Sequence, residues 1–210
     1  MLAIFKREFK SYFQNVIGWL FVAALLAVYG LYFYVYNLKN GYPYISYDLK
    51  GIGFIMMIAV PILTMRSLSD EKKTKTDQLM LTSPVSVGRI VAGKYFAMAA
   101  VYTIDIALFA LSPLVLSIYG KVALSEAYAA LFGYWLYGLS CIAVGLFISS
   151  ISESVIISAI LTFAALFLSY MMQSITGLIS SSGNLLTKVL NCFDLYTPFE
   201  NFVSGCFSVT

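Results

Sequence analysis

Five long apolar stretches, separated by short polar segments, dominate the pattern of the chain. Four of them contain at most one charged residue, and the second carries its two charges near its start. A helix of about 20 apolar residues crosses the roughly 30 Å hydrocarbon core of a bilayer. We therefore predict an all-α fold, a single polytopic transmembrane helical bundle over residues 1–210. Its predicted spans are 17–36, 47–65, 95–119, 127–150 and 155–178.

The first sixteen residues show a different pattern, with one apolar face and one basic face. Lys6, Arg7 and Lys10 lie opposite an apolar stripe that repeats at helical spacing. A helix of this kind lies in the membrane interface and is attracted by anionic lipids. We expect an amphipathic interfacial helix over residues 1–16, with membrane lipid as one partner. The stripe consists of Leu2, Phe5, Phe9, Tyr12, Phe13 and Val16.

Small residues and prolines mark where the spans should pack closely or bend. Small side chains four positions apart on one helix let a second helix approach closely, and proline inside a helix removes one backbone hydrogen bond. We expect close packing along span four and bends in spans two and three. The small residues are Ala129, Gly133, Cys141, Gly145 and Ser149, and the prolines are Pro61 and Pro113.

Lysine and arginine are distributed unequally between the two sets of loops. Nine fall on the side of the amino terminus and four on the opposite side. Because cytoplasmic loops carry the excess of these residues, we predict a cytoplasmic amino terminus in a multi-pass protein of the plasma (cell inner) membrane. The nine are Lys6, Arg7, Lys10, Arg66, Lys72, Lys73, Lys75, Arg89 and Lys94; the four are Lys39, Lys50, Lys121 and Lys188.

This orientation makes 179–210 an external segment after span five. Its two apolar faces are too short to span, so we expect short external helices there. Cys192 and Cys206 lie in this segment, on the side where disulfides persist. A disulfide between them is one hypothesis, and packing as small buried hydrophobes is the other.

Composition restricts the class of protein further. Hydrophobic residues make up 60% of the chain and charged residues 11%, against about 25% charged in soluble domains, which argues against a water-soluble enzyme. The absence of histidine removes most zinc sites and every Ser–His or Cys–His nucleophile pair. A net charge of +3 is too small for a nucleic-acid footprint, so we expect no nucleic-acid partner.

A spacing typical of phosphate-binding loops occurs at the end of the loop 66–94. Gly88, Gly93 and Lys94 match its two glycines and its lysine. The motif also needs a Ser or Thr after the lysine and a strand before the first glycine. Tyr95 occupies the first position, and no strand pattern precedes it. We therefore expect no cofactor bound by this chain and no ATP hydrolysis of its own.

The segment 66–85, RSLSDEKKTKTDQLMLTSPV, resembles the signature of the membrane (permease) subunits of ATP-binding-cassette type-2 exporters. Within that family it looks nearest to the small permeases of gliding-motility and multidrug-type systems. The resemblance extends to the amino-terminal helix and to the segments 145–153, GLFISSISE, and 197–202, TPFENF. Two features depart from the family pattern: Lys75 stands where glycine is usual, and the sixth span of the family does not appear before Thr210. We expect the sequence to lack that last span.

The resemblance implies an exporter in which the path and the ATPase are separate chains. Two permease chains, identical or different, would pair above a dimer of cytoplasmic ATPase subunits, which would bind ATP and magnesium. The loop 66–94 would couple the two by docking on the ATPase, and the link at Ser152 and Glu153 would be a second contact. The coupling residues implied are Arg66, Asp70, Glu71, Lys72, Lys73, Thr76, Asp77, Leu79, Leu81 and Pro84.

One charged residue, Asp105, interrupts the third span roughly 16 Å along the helix from Lys94. An ionisable group near the bilayer centre is a candidate functional site, for example in a proton-coupled carrier. The alternative is a structural aspartate bonded by a Tyr or Ser of a neighbouring span. A membrane enzyme would need a second acid beside Asp105 or a nucleophile with its base, and the spans show neither near the bilayer centre. A scaffold of an envelope complex is a third hypothesis.

Overall fold

The computed structural model describes residues 2–76, 86–119, 122–179 and 194–203, and in these ranges all regular structure is helical. A π-helical turn, Tyr34–Lys39, continues α2 without a break. The helices are α1 Leu2–Gln14, α2 Val16–Phe33, α3 Ser46–Thr64, α4 Ser69–Lys73, α5 Val87–Phe109, α6 Ser112–Tyr119, α7 Leu124–Ile151, α8 Val155–Ile179 and α9 Tyr196–Val203.

Five helical stretches of the described chain are long and apolar enough to cross a membrane. The predicted all-α polytopic bundle with five spans is therefore confirmed. The exact limits of the predicted spans stay predictions, because a membrane boundary is not a property of the helices alone. The five stretches are Val16–Lys39, Ser46–Lys73, Val87–Tyr119, Leu124–Ile151 and Val155–Met172.

Helix α3 lies at the centre of the bundle and packs against α2, α7, α8 and α9. Leu49, Ile52, Met56, Val60 and Leu63 are fully buried and recur every three or four residues, which places them along one face of the helix. Over an apolar segment of 18 residues in each stretch, 56% of the residues are buried in the stretch containing α3, twice the 28% in Val16–Lys39 and in Val155–Met172. The bundle is therefore built around α3.

Helix α7 approaches α3 and α5 closely at two glycines, of which Gly145 was among the predicted packing residues and Gly138 was not. A Cβ atom added to Gly145 would lie 2.5 Å from Oγ1 of Thr64 on α3, and one added to Gly138 would lie 2.3 Å from Cζ of Tyr102 on α5. Such distances are well inside van der Waals contact, so only glycine allows these approaches. Tyr102 also donates a hydrogen bond to the carbonyl of Tyr134 at 2.7 Å, which fixes α5 to α7.

The third predicted span consists of two helices, α5 and α6, because the helix is interrupted after Phe109. Pro113 has no N–H to donate to the carbonyl of Phe109, four residues earlier. The Ser112 hydroxyl donates to that carbonyl instead, at 2.8 Å, and also hydrogen-bonds the hydroxyl of Tyr29 on α2. The proline that was expected to bend this span lies at the start of a new helix.

Helix α9 fits between α3, α7 and α8 at the end of the bundle opposite α1. Tyr196 packs against the ring of Tyr170 on α8 at 4.6 Å, and Phe199 stacks on Tyr137 of α7 at 5.1 Å. Asp194 begins the helix by accepting the backbone N–H groups of Tyr196 and Thr197. This is one of the short helices expected after span five; the other expected one lies outside the described residues.

We predict that Gly138→Ala destabilises the protein by about 1–3 kcal/mol, because the added methyl group must displace the ring of Tyr102. The measurement is thermal unfolding of the purified protein in detergent. The matched control is Gly30→Ala on α2, where an added Cβ has no atom within 4 Å and should be neutral or stabilising by up to about 1 kcal/mol. Equal effects of the two substitutions would contradict the packing described for α7.

Candidate functional site

At the end of the bundle that carries the amino terminus, α1, α4, α5 and the last turn of α7 come together. Helix α1 packs against α5 and α2, and α4 packs against α7 and α8. The short turn between α3 and α4 lies among these helices. This end contains residues 66–76 and the start of α5, which are the described parts of the loop that the resemblance implied to be the coupling loop, and so it is the candidate functional site.

A buried lysine joins three of these segments. The side chain of Lys94, on α5, is only 2% exposed. Its Nζ atom donates to the Ser67 carbonyl at 2.9 Å, to Oε1 of Glu71 on α4 at 2.7 Å and to Oε1 of Glu8 on α1 at 3.3 Å. An ammonium group has three donors, and each donor here has an acceptor. We call Lys94, Glu8, Glu71 and Ser67 the Lys94 cluster.

The charges around Lys94 balance. Arg7 places Nη2 at 2.7 Å from Oε1 of Glu8 and at 3.9 Å from Oε1 of Glu71, so two cations face two carboxylates. An ammonium group in the interior is strongly unfavourable unless it is paired and hydrogen-bonded. The buried Lys94 therefore requires α1 and α4 to stay beside α5, whereas Arg7, with a side chain that is 59% exposed, contributes less.

Helix α1 is held by aromatic contacts as well as by charge. Its predicted apolar stripe supplies Phe9, Tyr12 and Phe13, which pack against the core. The Tyr12 hydroxyl donates to the carbonyl of Leu63 on α3 at 3.4 Å. Burial and, to a smaller extent, the nearby Glu8 carboxylate raise the pKa of Tyr12 above its ordinary value, so the hydroxyl keeps its proton. The ring of Trp19 on α2 meets Phe13 edge to face at 5.4 Å.

Helix α4 takes its amino-terminal cap from α7. No side chain of α4 itself caps its first turn. The Ser149 hydroxyl, from the last turn of α7, accepts the backbone N–H groups of Leu68 and Ser69, each at 3.2 Å. These are donors that the first turn of a helix leaves without a partner. Ser149 was predicted only as a small packing residue, and its hydroxyl has this additional role.

The predicted coupling residues divide between two faces of this segment. Glu71 points into the Lys94 cluster, and Lys72 is half-buried. Four others are exposed: Arg66, Asp70, Lys73 and Thr76. Of the predicted second link, Ser152 is buried and Glu153 is exposed. The remaining predicted site residues, Asp77, Leu79, Leu81 and Pro84 together with Cys192 and Cys206, lie outside the described residues, so their roles stay predictions.

Lys75 adopts a backbone conformation that favours glycine. Its φ angle is +55°, the only positive φ of a non-glycine residue in the described chain. The left-handed region costs an ordinary residue roughly 1 kcal/mol or more and glycine almost nothing. Lys75 is the position at which the resemblance implies glycine, and a positive φ is the conformation that glycine adopts readily.

Two side chains of the Lys94 cluster, those of Glu8 and Lys94, were not identified by the sequence analysis, and neither was the backbone carbonyl of Ser67. Lys94 was counted among the loop cations and as part of a spacing typical of phosphate-binding loops. Glu8 was not considered, although it is the only acidic residue among the first 47. A lone carboxylate on an otherwise basic helix was the signal that could have indicated an ion pair with a distant lysine.

Asp105 lies on α5 in the interior of the bundle. The residue is fully buried, and neither carboxylate oxygen has a hydrogen-bond partner in the described part of the chain. The Tyr134 hydroxyl on α7 likewise has none there. Across the same ranges, the structure brings together no group of three or more His, Cys, Asp or Glu residues that could hold a metal ion.

Five apolar helices around a buried core, with charges gathered at the helix ends, define a multi-pass helical membrane protein. A family model described as ABC-2 family transporter protein matches residues 29–207, and the chain belongs to that family. Comparison with curated proteins gave no match, and comparison with solved structures gave none either. The family match includes Lys94, Glu71 and Ser149; α1 with Glu8 precedes it.

We predict that Ser149→Ala destabilises the protein by about 1–3 kcal/mol, because two buried backbone N–H groups at the start of α4 lose their acceptor. Ser150→Ala is the matched control, since within the described residues that hydroxyl donates to the carbonyl of Phe147 in its own helix. Its loss should change stability by less than about 0.5 kcal/mol. Thermal unfolding measures both. A loss at Ser150 equal to that at Ser149 would contradict the capping role.

Proposed function

We propose that this ABC-2 permease exports a substrate across the plasma membrane, driven by a separate dimer of cytoplasmic ATPase subunits and paired with a second permease chain. The observation that carries the proposal is the two-sided arrangement of α4. Its inner side is fixed to the spans by Glu71 and by the Ser149 cap. Its outer side presents Asp70 and Lys73 to the surroundings.

A coupling segment needs both of these properties. Its exposed side must offer groups that a partner can bind, and its attached side must transmit the partner's movement to the membrane helices. Helix α4 contacts α7 and α8 directly, and Glu71 connects it to α5 and α1 through Lys94. A displacement of α4 by the partner would therefore be transmitted directly to four helices, α1, α5, α7 and α8. Rigid-body alternating access requires such a transmission.

The orientation of the chain in the membrane is part of the proposal. Helix α1, the segment 66–76 and the first turn of α5 lie at one end of the bundle and hold Lys and Arg in excess over the opposite end, which has Lys39 and Lys50. Cytoplasmic segments carry such an excess. This supports a cytoplasmic amino terminus, with α4 on the side where an ATPase is present and α9 on the external side.

The same residues indicate which functions belong to each of the two proteins. ATP and magnesium would be bound by the partner ATPase, and this chain would provide the path and the mechanical connection. The coupling segment does not contact the substrate in this proposal, so the test measures whether the ATPase partner binds. An ATP-binding-cassette ATPase is a partner that mass spectrometry identifies by its sequence.

We predict that Asp70→Arg lowers the recovery of the ATPase about tenfold or more when the tagged permease is purified from its native membranes. A charge reversal at the docking face should remove about 1.4 kcal/mol or more of binding free energy. The yield and thermal stability of the permease should not change, because Asp70 is exposed. Mass spectrometry quantifies the ATPase, and its ATP hydrolysis is measured in the same samples.

The matched control is Lys39→Glu, a charge reversal at the opposite end of the bundle, which should leave ATPase recovery unchanged. Equal recovery with wild type and Asp70→Arg would contradict docking at α4. Absence of any ATP-binding-cassette ATPase from the wild-type sample would contradict the partnership itself. An ATPase that binds without any effect of nucleotide on the complex would favour the scaffold hypothesis.

A further inference from the structure

Asp105 is a carboxyl group that the transport proposal does not use. It lies on α5, 11 residues after Lys94 and thus roughly 16 Å from it along the helix. The side chain is fully buried, and both of its oxygens are without a hydrogen-bond donor within the described residues. A buried polar group almost always has a partner. The isolation of Asp105 therefore requires an explanation.

The helices packed against α5 are α1, α2 and α7. Helices α2 and α7 contain no Lys or Arg, and the charges of α1 meet α5 only at the Lys94 cluster. These helices bring phenols and a thiol to this part of the bundle: Tyr102 on α5 itself, Tyr134, Tyr137 and Cys141 on α7, and Tyr29 on α2. A second buried carboxyl, Asp48 on α3, lies near Tyr29 and accepts a hydrogen bond from the side chain of Asn37.

None of these groups donates a hydrogen bond to Asp105 in the described arrangement. The Tyr102 hydroxyl donates to the Tyr134 carbonyl, and the Tyr29 hydroxyl is bonded to Ser112. The Tyr134 hydroxyl has no hydrogen-bond partner among the described residues. An ionised carboxylate with neither a cation nor a donor beside it is prohibitively unfavourable in an apolar interior. The protonated carboxyl is neutral and avoids that penalty.

We propose that Asp105 is a proton-binding site, which holds a proton while α5 and α7 are packed together and releases it when they separate. On release the O–H bond of the carboxyl breaks, the proton passes to an entering water molecule, and a carboxylate remains. The unpaired Tyr134 hydroxyl, on the facing helix, is available as a donor to that carboxylate. The proposal rests on these contacts and does not depend on the ATPase partnership.

Asp105 lies near the end of α5, where a movement of the neighbouring helix can change its surroundings. The helix ends at Phe109, one turn beyond, and α6 begins only at Ser112. Phe109 is stacked on Tyr29 of α2 at 4.1 Å and is tilted against Tyr134 of α7 at 6.4 Å. The end of α5 is thus held by ring contacts and by the bonds of Ser112, rather than by a continuous helix. Movement of α7 against this end would expose Asp105.

The test compares wild type with Asp105→Asn, which keeps the shape of the side chain and cannot release a proton. Thermal unfolding of the full purified chain is followed in detergent between pH 5 and 9. In wild type the folded state holds one more proton than the unfolded state, so its stability falls as pH rises. The quantity compared is the ratio of the unfolding equilibrium constant of wild type to that of Asp105→Asn. This ratio should rise by about tenfold per pH unit over the range in which Asp105 is protonated in the folded state.

Glu126→Gln is the matched control, since Glu126 is an exposed carboxylate at the start of α7 and its variant should follow the wild-type pH dependence. Parallel curves for wild type and Asp105→Asn would overturn the proposal. So would a wild type that gains stability relative to Asp105→Asn as pH rises, because that result requires an ionised, paired carboxylate.

A second measurement uses wild type alone and so does not depend on the folding of a variant. Dicyclohexylcarbodiimide modifies protonated carboxyl groups in apolar surroundings. We expect mass spectrometry to find the peptide with Asp105 modified at pH 6 and largely unmodified at pH 9, whereas the paired Glu8 and Glu71 stay unmodified at both. Absence of modification at Asp105 at every pH would overturn the proposal, as would modification of all three residues alike.

Discussion

The structure depends on one constraint, that the charge of Lys94 is buried. An ammonium group in the interior must be surrounded by acceptors, and the three that surround it belong to α1, to the turn after α3 and to α4. None of these segments can leave α5 without taking an acceptor from the buried charge, and breaking a buried ion pair typically costs about 3–5 kcal/mol. One side chain thus fixes the amino-terminal helix and the proposed coupling segment to the third span.

Helix α7 completes this arrangement with two residues one turn apart. Gly145 allows Thr64 of α3 to come into close contact, and Ser149 then lies where it can cap α4. The turn between α3 and α4 is therefore held from one side by a hydrogen-bonding serine and from the other by the lysine. Close packing and polar pairing act on the same few residues, and the exposed face of α4 is presented by a rigid support.

The sequence predicted what depends on local pattern and missed what depends on distant contacts. Long apolar runs and the spacing of small residues predicted the five spans and the close packing of α7. Burial of Lys94 could not be predicted, because its partners lie 86 and 23 residues away and a lysine before a span is normally solvated. Pro113 was recognised, but the sequence does not show that Ser112 beside it bonds Tyr29 of α2, 83 residues away.

The central claim, that Lys94 and Glu71 stabilise each other in the interior, is tested most directly by a double-mutant cycle. Lys94→Met, Glu71→Gln and the double variant are compared with wild type by unfolding free energy, since methionine keeps the length of the side chain without its charge. The account predicts that each single variant is destabilised and that the double variant loses less than their sum by at least about 1 kcal/mol. Losses that add within about 0.5 kcal/mol would contradict it.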